Sequence, residues 1–182
     1  MPLLADPPTR PARRPAPAPG DRLVLGFLAF SVVMAFSLEL YFVLHFRDIG
    51  ERHDVIARGF RFYGSADRTY AGQGDVHLPL ALETINVFVV QALNCALAHA
   101  ILRRRPWRHP LQLGIGSYLA GSVVIYSWHA HVAGYPDMPE HRLRNYVVFY
   151  APNLPWLVGG FWMAVASFGA LVRLAREREI RP

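Results

Sequence analysis

The chain has 182 residues, of which 53% are hydrophobic and 18% charged, and its formal net charge is +6. This apolar content is too high for an ordinary soluble domain of this size, and the apolar residues are concentrated in long runs. The 19 Lys or Arg residues are all arginines and cluster between the runs, which argues against a nucleic-acid-binding module. The single cysteine, Cys95, excludes a disulfide framework.

The N-terminal residues 1–21 are rich in proline and arginine and contain almost nothing to bury, so we predict a disordered tail. Four apolar runs long enough to cross a bilayer follow, at residues 23–46, 76–102, 111–134 and 145–174. They predict an all-α membrane protein with one domain over residues 22–175, a four-transmembrane-helix bundle. Residues 176–182 form a short basic tail.

The arginines cluster in the N-terminal tail, in the loop at 103–108 and at the C-terminal end from residue 173. By the positive-inside rule, these segments and both termini are cytoplasmic. We therefore expect a multi-pass integral membrane protein, in the endoplasmic reticulum of a eukaryote or the cytoplasmic membrane of a bacterium.

The loop between the first two runs, residues 47–75, is long enough to contain structure of its own. Val55, Ile56, Phe60 and Tyr63 fall on one helical face, which is typical of a short helix lying at the membrane interface. A solvated turn is the alternative interpretation.

Two glutamates, Glu39 and Glu83, are the only acidic residues within the four runs. An ionisable group at membrane depth costs roughly 2.5–3.5 kcal/mol even on lenient insertion scales, so it indicates a functional site facing the bundle interior. Counted from the outer end of each run, both glutamates, Tyr126 and Asn153 lie roughly 10–12 Å deep. We predict that these four residues form one polar layer.

Helical phase adds further residues to this layer. The added residues are Phe42 beside Glu39, Asn86 on the Glu83 stripe, Ser122 and His129 with Tyr126, and Tyr150 and Trp156 with Asn153. A mostly apolar cavity with a few convergent polar groups is typical of a site for a lipid-like ligand. The side-chain amides of Asn86 and Asn94 could instead form interhelical hydrogen bonds. The alternative role of Tyr126 is packing, and that of Trp156 is membership of an aromatic belt at the membrane interface.

Two further features of the runs have structural consequences. Pro152 and Pro155 flank Asn153 and predict a kink that exposes backbone carbonyls near the site. His129 and His131 point about 200° apart on a helix, so they do not converge on a metal. We predict no metal site and no cofactor.

Two buried carboxyl groups in a mostly apolar cavity indicate proton transfer on an apolar substrate. Such a pair can hold one proton, so the neutral member is an acid and the ionised member a base or a stabiliser of a cation. The two titrations are coupled, and the proton is not assigned to either residue.

Five segments in order resemble the emopamil-binding protein family, which includes the sterol Δ8–Δ7 isomerase. They are FSLELYFVLHFRDI at 36–49, DRTY at 67–70, ALETI at 81–85, HPLQL at 109–113 and NLPW at 153–156. The resemblance runs from about residue 25 to 174 and covers the four-helix unit called EXPERA.

The resemblance implies roles for individual residues. Glu39 and Glu83 match the family's catalytic carboxylates, Asn153 its active-site asparagine, Trp156 the tryptophan facing the substrate cation, and Tyr126 a tyrosine of the third helix. The implied activity is that of a cofactor-independent isomerase, which shifts a carbon–carbon double bond in a sterol-like or other polycyclic terpenoid lipid through a carbocation. The expected substrate-binding residues are Tyr126, Phe42, Asn86, Tyr150, Ser122 and His129.

The chain departs from the family isomerase at two places. Ala35 occupies the position of the family's histidine, one turn before Glu39, and His45, His77, His129 and His131 are the histidines that could substitute for it. The N-terminal tail replaces an additional transmembrane helix.

These departures leave two alternatives open. One is a non-catalytic EXPERA protein that binds sterols or amphiphilic amines, resembling the sigma-2 receptor, and the other is a terpenoid cyclase-like enzyme. The expected partners are the lipid substrate and the bilayer, with no nucleic acid, and a homodimer is left open.

Overall fold

The computed structural model describes residues 18–179, which contain helices and turns and no strand. The helices are α1 at Pro19–His45, α2 at Val55–Tyr63, α3 at His77–Leu102, α4 at Arg108–Val132, and α5, which begins at Leu143 and ends at Glu179. The first 17 residues of the predicted tail and residues 180–182 lie outside this range. Helix α1 begins at Pro19, so the last three residues of the predicted tail, 19–21, are helical.

Three of the helices, α1, α3 and α5, are long and apolar enough to cross a membrane. Helix α4 is also long, at 25 residues. It is not among the three, and it carries polar side chains that include Gln112, Ser122 and His129. The all-helical class is therefore confirmed. Three of the four predicted spans coincide with helices that could cross a membrane by length and composition, and the fourth span stays a prediction.

The arginine-rich segments meet at one end of the helices. The start of α1, the connection between α3 and α4 and the last turns of α5 surround one cavity there. Arg108, at the start of α4, donates two hydrogen bonds to the carboxylate of Asp21 in α1, at 3.1 and 3.0 Å. The segments that sequence assigns to the same side of a membrane thus lie together.

The loop after α1 contains the short helix that its pattern predicts. Helix α2 begins after Asp54, whose carboxylate accepts hydrogen bonds from the backbone N–H groups of Ile56 and Ala57. Hydrogen bonds from the Tyr41 hydroxyl and from the Ala57 amide hold the pKa of Asp54 well below its usual range. Ala57 is completely buried, whereas Val55 is 72% exposed. The helix therefore packs on the protein through Ala57, with Ile56, Phe60 and Tyr63 partly buried beside it.

Helices α4 and α5 cross with their backbones in contact. A Cβ atom on Gly116 would lie 2.6 Å from the carbonyl oxygen of Gly160, and one on Gly160 would lie 2.8 Å from the backbone nitrogen of Ala120. Gly116 and Gly160 thus allow the close approach of the two helices, whereas a Cβ atom on Gly121 would have no neighbour within 4 Å.

Polar groups also join α1 and α3. The side-chain amide of Asn94 donates to the Ser31 hydroxyl at 3.1 Å and to Gln91 Oε1 at 3.0 Å, and all three residues are buried. This confirms the interhelical hydrogen-bonding role for Asn94.

Three helices are irregular at the level of the polar layer. Helices α1 and α3 each contain a π turn, at Ala35–Glu39 and Asn86–Val90, and the two turns contact each other. Helix α5 passes through a 3₁₀ turn at Ala151–Asn153, where Pro152 and Pro155 predict a break. π turns and 3₁₀ turns within a helix change the direction in which its side chains point, and they are frequent at functional sites.

The glycine crossing gives a prediction about stability. We expect Gly116→Ala to destabilise the protein by about 1–3 kcal/mol, because the new methyl group meets rigid backbone and forces α4 and α5 apart. Gly121→Ala is the control, and it should be neutral or stabilising by about 0.5–1 kcal/mol, as alanine favours a helix over glycine. The unfolding midpoint of each variant in detergent measures the difference. Equal midpoints for the two variants would contradict the crossing.

Candidate active site

A cavity of about 60 Å³ lies between α1, α3, α4 and α5. Seven of the predicted site residues line it, namely Glu39, Glu83, Asn86, Ser122, Tyr126, Asn153 and Trp156. The rest of the wall is formed by Tyr70, Leu82, Tyr118, Leu119 and Val123. The structure therefore brings together both glutamates and most of the polar layer.

Glu39 is the last residue of the π turn in α1 and is only 8% exposed. Its Oε2 atom accepts a hydrogen bond of 2.8 Å from the side-chain amide of Asn86, the first residue of the π turn in α3. The backbone carbonyl of Asn86 in turn accepts from the Gln91 side chain at 3.2 Å. The two π turns thus face each other through the contact that holds Glu39.

Glu83 is held from the opposite side, by the loop between α1 and α3. The Tyr70 hydroxyl, in the 3₁₀ turn Arg68–Ala71, donates a hydrogen bond of 2.7 Å to Glu83 Oε1. The Tyr70 ring packs against Phe42, with ring centroids 4.7 Å apart, and is stacked with Phe60 at 6.1 Å. Burial, and after it the charge of Glu83, raises the pKa of the Tyr70 phenol, so Tyr70 remains a donor at neutral pH.

The two carboxyl groups share a cavity that holds no compensating charge. They are close enough to interact electrostatically. No arginine, lysine or histidine is among the residues of 18–179 that line the cavity. A proton or a positively charged ligand is therefore needed to neutralise the pair, since an uncompensated buried charge is costly.

A second group of hydrogen bonds closes the outer end of the cavity. The Tyr126 hydroxyl donates to the carboxylate of Asp67, which is 4% exposed and also accepts from the backbone N–H and hydroxyl of Thr69. The hydroxyl of Tyr63 and the side-chain amide of Asn153 both donate to the Phe149 carbonyl, at 3.2 and 2.8 Å.

These contacts lie at the 3₁₀ turn of α5. The backbone carbonyl of Phe149, just before this turn, accepts both hydrogen bonds, whereas exposed carbonyls at the glutamate cavity stay a prediction. The Asn153 amide also donates to the Tyr63 hydroxyl at 3.4 Å, and its hydrogen bonds within residues 18–179 include none to a glutamate. The amide that holds a glutamate is that of Asn86.

Trp156 forms the boundary between the cavity and α1. Its ring lies 5.3 Å from the ring of Phe30 and 5.9 Å from that of Phe27, centroid to centroid. The indole therefore presents one side to the cavity and is held in place by aromatic contacts on the other.

Three predicted site residues, Phe42, Tyr150 and His129, do not line this cavity. Phe42 is completely buried behind Tyr70, and the Tyr150 hydroxyl contacts the Tyr135 hydroxyl at 2.7 Å. His129 lines a separate, outer cavity of about 370 Å³, which Tyr126 also lines.

No histidine takes the position left by Ala35. His77 and His129 line the outer cavity, His45 lies 3.5 Å from Asp48, and His131 contacts Tyr135. Ala35 itself is completely buried. Within residues 18–179, no group of three or more His, Cys, Asp or Glu side chains is arranged to hold a metal.

Sequence reasoning missed the contribution of the loop. Tyr63, Asp67 and Tyr70 complete the site, yet the depth argument considered only residues inside the apolar runs. The signal that could have found them is DRTY at 67–70, which carries two of the three residues and is one of the segments of the family resemblance.

The fold and the cavity define an all-helical protein with three helices that are long and apolar enough to cross a membrane and with a carboxyl-lined internal site. A family model for EXPERA, the expanded EBP superfamily, matches residues 55–167. The chain belongs to this family, which confirms the resemblance seen in its sequence. The match includes Glu83, Tyr126, Asn153 and Trp156 but not Glu39. A search of curated proteins finds no match.

The buried carboxylate of Asp67 gives a prediction about the closed end of the site. We expect Asp67→Ala to destabilise the protein by about 1–3 kcal/mol for each buried hydroxyl left without an acceptor, those of Thr69 and Tyr126. Asp48→Ala, which removes a half-exposed ion pair with Arg52, should cost about 0–1 kcal/mol. Unfolding midpoints in detergent compare the stability of the two variants. An equal loss of stability in both would show that Asp67 has no special structural role.

Proposed function

We propose that the protein is a cofactor-independent, integral-membrane isomerase that shifts a carbon–carbon double bond in a sterol-like or other polycyclic terpenoid lipid. The proposal includes α4 as the fourth transmembrane helix and both termini on the cytoplasmic side. The clustering of the arginine-rich segments at one end of the helices supports this topology.

The observation that carries the proposal is the pair of carboxyls in one cavity without a compensating cation. Each carboxyl is held by a neutral donor, Glu39 by Asn86 and Glu83 by Tyr70. Neutral donors fix the position of a carboxyl without supplying a positive charge, so the pair can hold a proton. A positioned acid and base are what the movement of a double bond requires.

The reaction proceeds in two steps with balanced protons. The protonated member of the pair adds its proton to one carbon of the ring alkene, which leaves a tertiary carbocation. The ionised member then removes a proton from a neighbouring carbon, and the double bond forms at the new position. The substrate gains and loses one proton, and the pair returns to its starting state after the proton is redistributed.

The carbocation is stabilised by groups that face the cavity. The face of Trp156 offers a cation–π interaction worth about 2 kcal/mol when desolvated. The ionised glutamate adds electrostatic stabilisation in a site with little water. Asn153 acts through Tyr63 and the Phe149 carbonyl, and so shapes the wall beside the cation.

A polycyclic lipid needs more room than the glutamate cavity offers, because ligand sites typically measure roughly 300–1,000 Å³. Tyr126 separates this cavity of about 60 Å³ from the outer one of about 370 Å³. We propose that the substrate displaces the Tyr126 side chain and occupies both cavities, with the alkene beside the glutamates.

A non-catalytic protein that binds sterols or amphiphilic amines is the second candidate. Ala35 and the lack of a histidine at the cavity favour it, because the two carboxyls could then serve only to pair with a ligand ammonium. A terpenoid cyclase-like enzyme would use the same acid pair, and a product with a new ring would identify it.

Incubation with a Δ8 sterol in deuterated water tests the proposal. We expect the wild-type protein to incorporate deuterium at a ring carbon, and we expect Glu83→Gln to lower the rate by about 10²–10⁴-fold because an amide cannot transfer the proton. Mass spectrometry of the sterol gives the rate, and the unfolding midpoint verifies that the variant is folded.

Glu51→Gln is the matched control, since Glu51 is an exposed glutamate of the outer loop. It should retain the wild-type rate. Full activity of Glu83→Gln would reject the mechanism, and tight sterol or amine binding by a wild-type protein that incorporates no label would favour the non-catalytic candidate.

Tyr70→Phe tests the positioning of Glu83. Loss of a hydrogen bond to a charged group corresponds to about 1.5–3 kcal/mol, so we expect turnover to fall by about 10–150-fold. Substrate binding should change little, because the phenyl ring retains the contacts with Phe42 and Phe60.

Tyr146→Phe is the control, since its hydroxyl contacts His141 and lines neither cavity. It should keep wild-type turnover. A Tyr70→Phe variant that loses binding and turnover in equal proportion would contradict a role in positioning Glu83.

A further inference from the structure

Another cavity lies at the other end of the helices from the glutamates, where the arginine-rich segments meet. It has a volume of about 800 Å³. Its polar wall comes from the connection between α3 and α4, and its apolar wall from α5. Its charged and leucine side chains are those of Asp21, Arg104, Arg105, Arg108, Leu171 and Leu174.

The charge of this cavity is positive. Among the described residues that line it are three arginines and one carboxylate, that of Asp21. That carboxylate is already paired with Arg108, which holds both of its oxygens. The Arg105 side chain is exposed and makes no ion pair within residues 18–179. An anion entering the cavity therefore meets a net positive field.

Two helix ends add to this field. Helices α1 and α4 both begin at the cavity, and neither has a side-chain cap on its first N–H groups. Uncapped N–H groups and the positive end of the helix dipole favour an anion. Phosphate is the anion whose geometry arginine matches best.

The apolar wall indicates where the phosphate comes from. Leu171 and Leu174 line the cavity on the last turns of α5, and Leu174 is 46% exposed. Trp107, between the arginines and α4, is 42% exposed, as is typical of a membrane–water interface. A phosphate next to an apolar wall at the end of a membrane helix matches a phospholipid better than a free ion.

The N-terminal segment of the chain is a poorer occupant of this cavity. Residues 1–17 contain three arginines and one aspartate, so they carry the same sign of charge as the cavity. Like charges disfavour this contact.

We infer that the cavity binds the phosphate headgroup of an anionic phospholipid, with Arg104, Arg105 and Arg108 around the phosphate and the acyl chains along Leu171 and Leu174. Basic pockets between membrane helices are suited to such headgroups. The site is independent of the proposed isomerase activity.

The test uses the purified full chain in an uncharged detergent and follows its unfolding midpoint. Phosphatidylglycerol should raise the midpoint to a saturating value, whereas phosphatidylcholine and inorganic phosphate should leave it nearly unchanged. Arg105→Gln should raise the half-saturating concentration of phosphatidylglycerol about fivefold. One arginine near a lipid headgroup contributes about 1 kcal/mol of binding free energy, and its loss weakens binding by that factor.

Arg103→Gln is the matched control, because it removes the same charge from the same loop and Arg103 does not line the cavity. It should keep the wild-type half-saturating concentration. An equal rise of the half-saturating concentration in the two variants would mean that only surface charge matters. A full rise of the unfolding midpoint with inorganic phosphate would mean that the cavity is a site for a free anion. Either result would overturn the inference. Arg105 is exposed, so its variant should fold, which the midpoint without lipid verifies.

Discussion

Two carboxyl groups lie inside apolar helices, with no cationic side chain among the described residues that line their cavity, and the surrounding structure is organised around this constraint. Each carboxyl accepts a hydrogen bond from a neutral group, Glu39 from Asn86 and Glu83 from Tyr70. The first contact depends on a pair of facing π turns, and the second on a loop that folds back onto the helices. Neutral partners stabilise the carboxyls while leaving their charge uncompensated, which keeps them available for a proton or a cation.

The loop between α1 and α3 is therefore part of the site and not only a connection. Tyr70 holds Glu83, Asp67 holds Tyr126 on α4, and Tyr63 meets Asn153 at the break in α5. One segment thus contacts three of the helices that enclose the cavity. Tyr126 lies at the boundary between the two cavities, so in the proposed function the substrate has to displace a side chain that this loop holds in place.

Three predicted site residues do not line the glutamate cavity, and they share one physical reason. Phe42, His129 and Tyr150 are each three residues further toward the outer end than a residue that does line the cavity: Glu39, Tyr126 and Asn153. Each therefore lies about one helical turn beyond the cavity. The cavity ends one turn earlier because Tyr70 and the bond between Tyr126 and Asp67 close it. A count along isolated helices cannot include side chains that arrive from a loop.

The sequence by itself determined the helical class, the family, the two membrane glutamates and the face of each helix that meets the others. These features follow from composition, short motifs and a period of 3.6 residues, which are local properties of the chain. Only the tertiary structure decided that Asn86 and not Asn153 holds a glutamate, that Gly116 and not Gly121 forms the helix crossing, and where the cavity ends. Each of these depends on which groups from distant segments come within a few ångströms of each other. In addition, the two π turns change the direction of the side chains involved, and no proline or glycine in the sequence marks these turns.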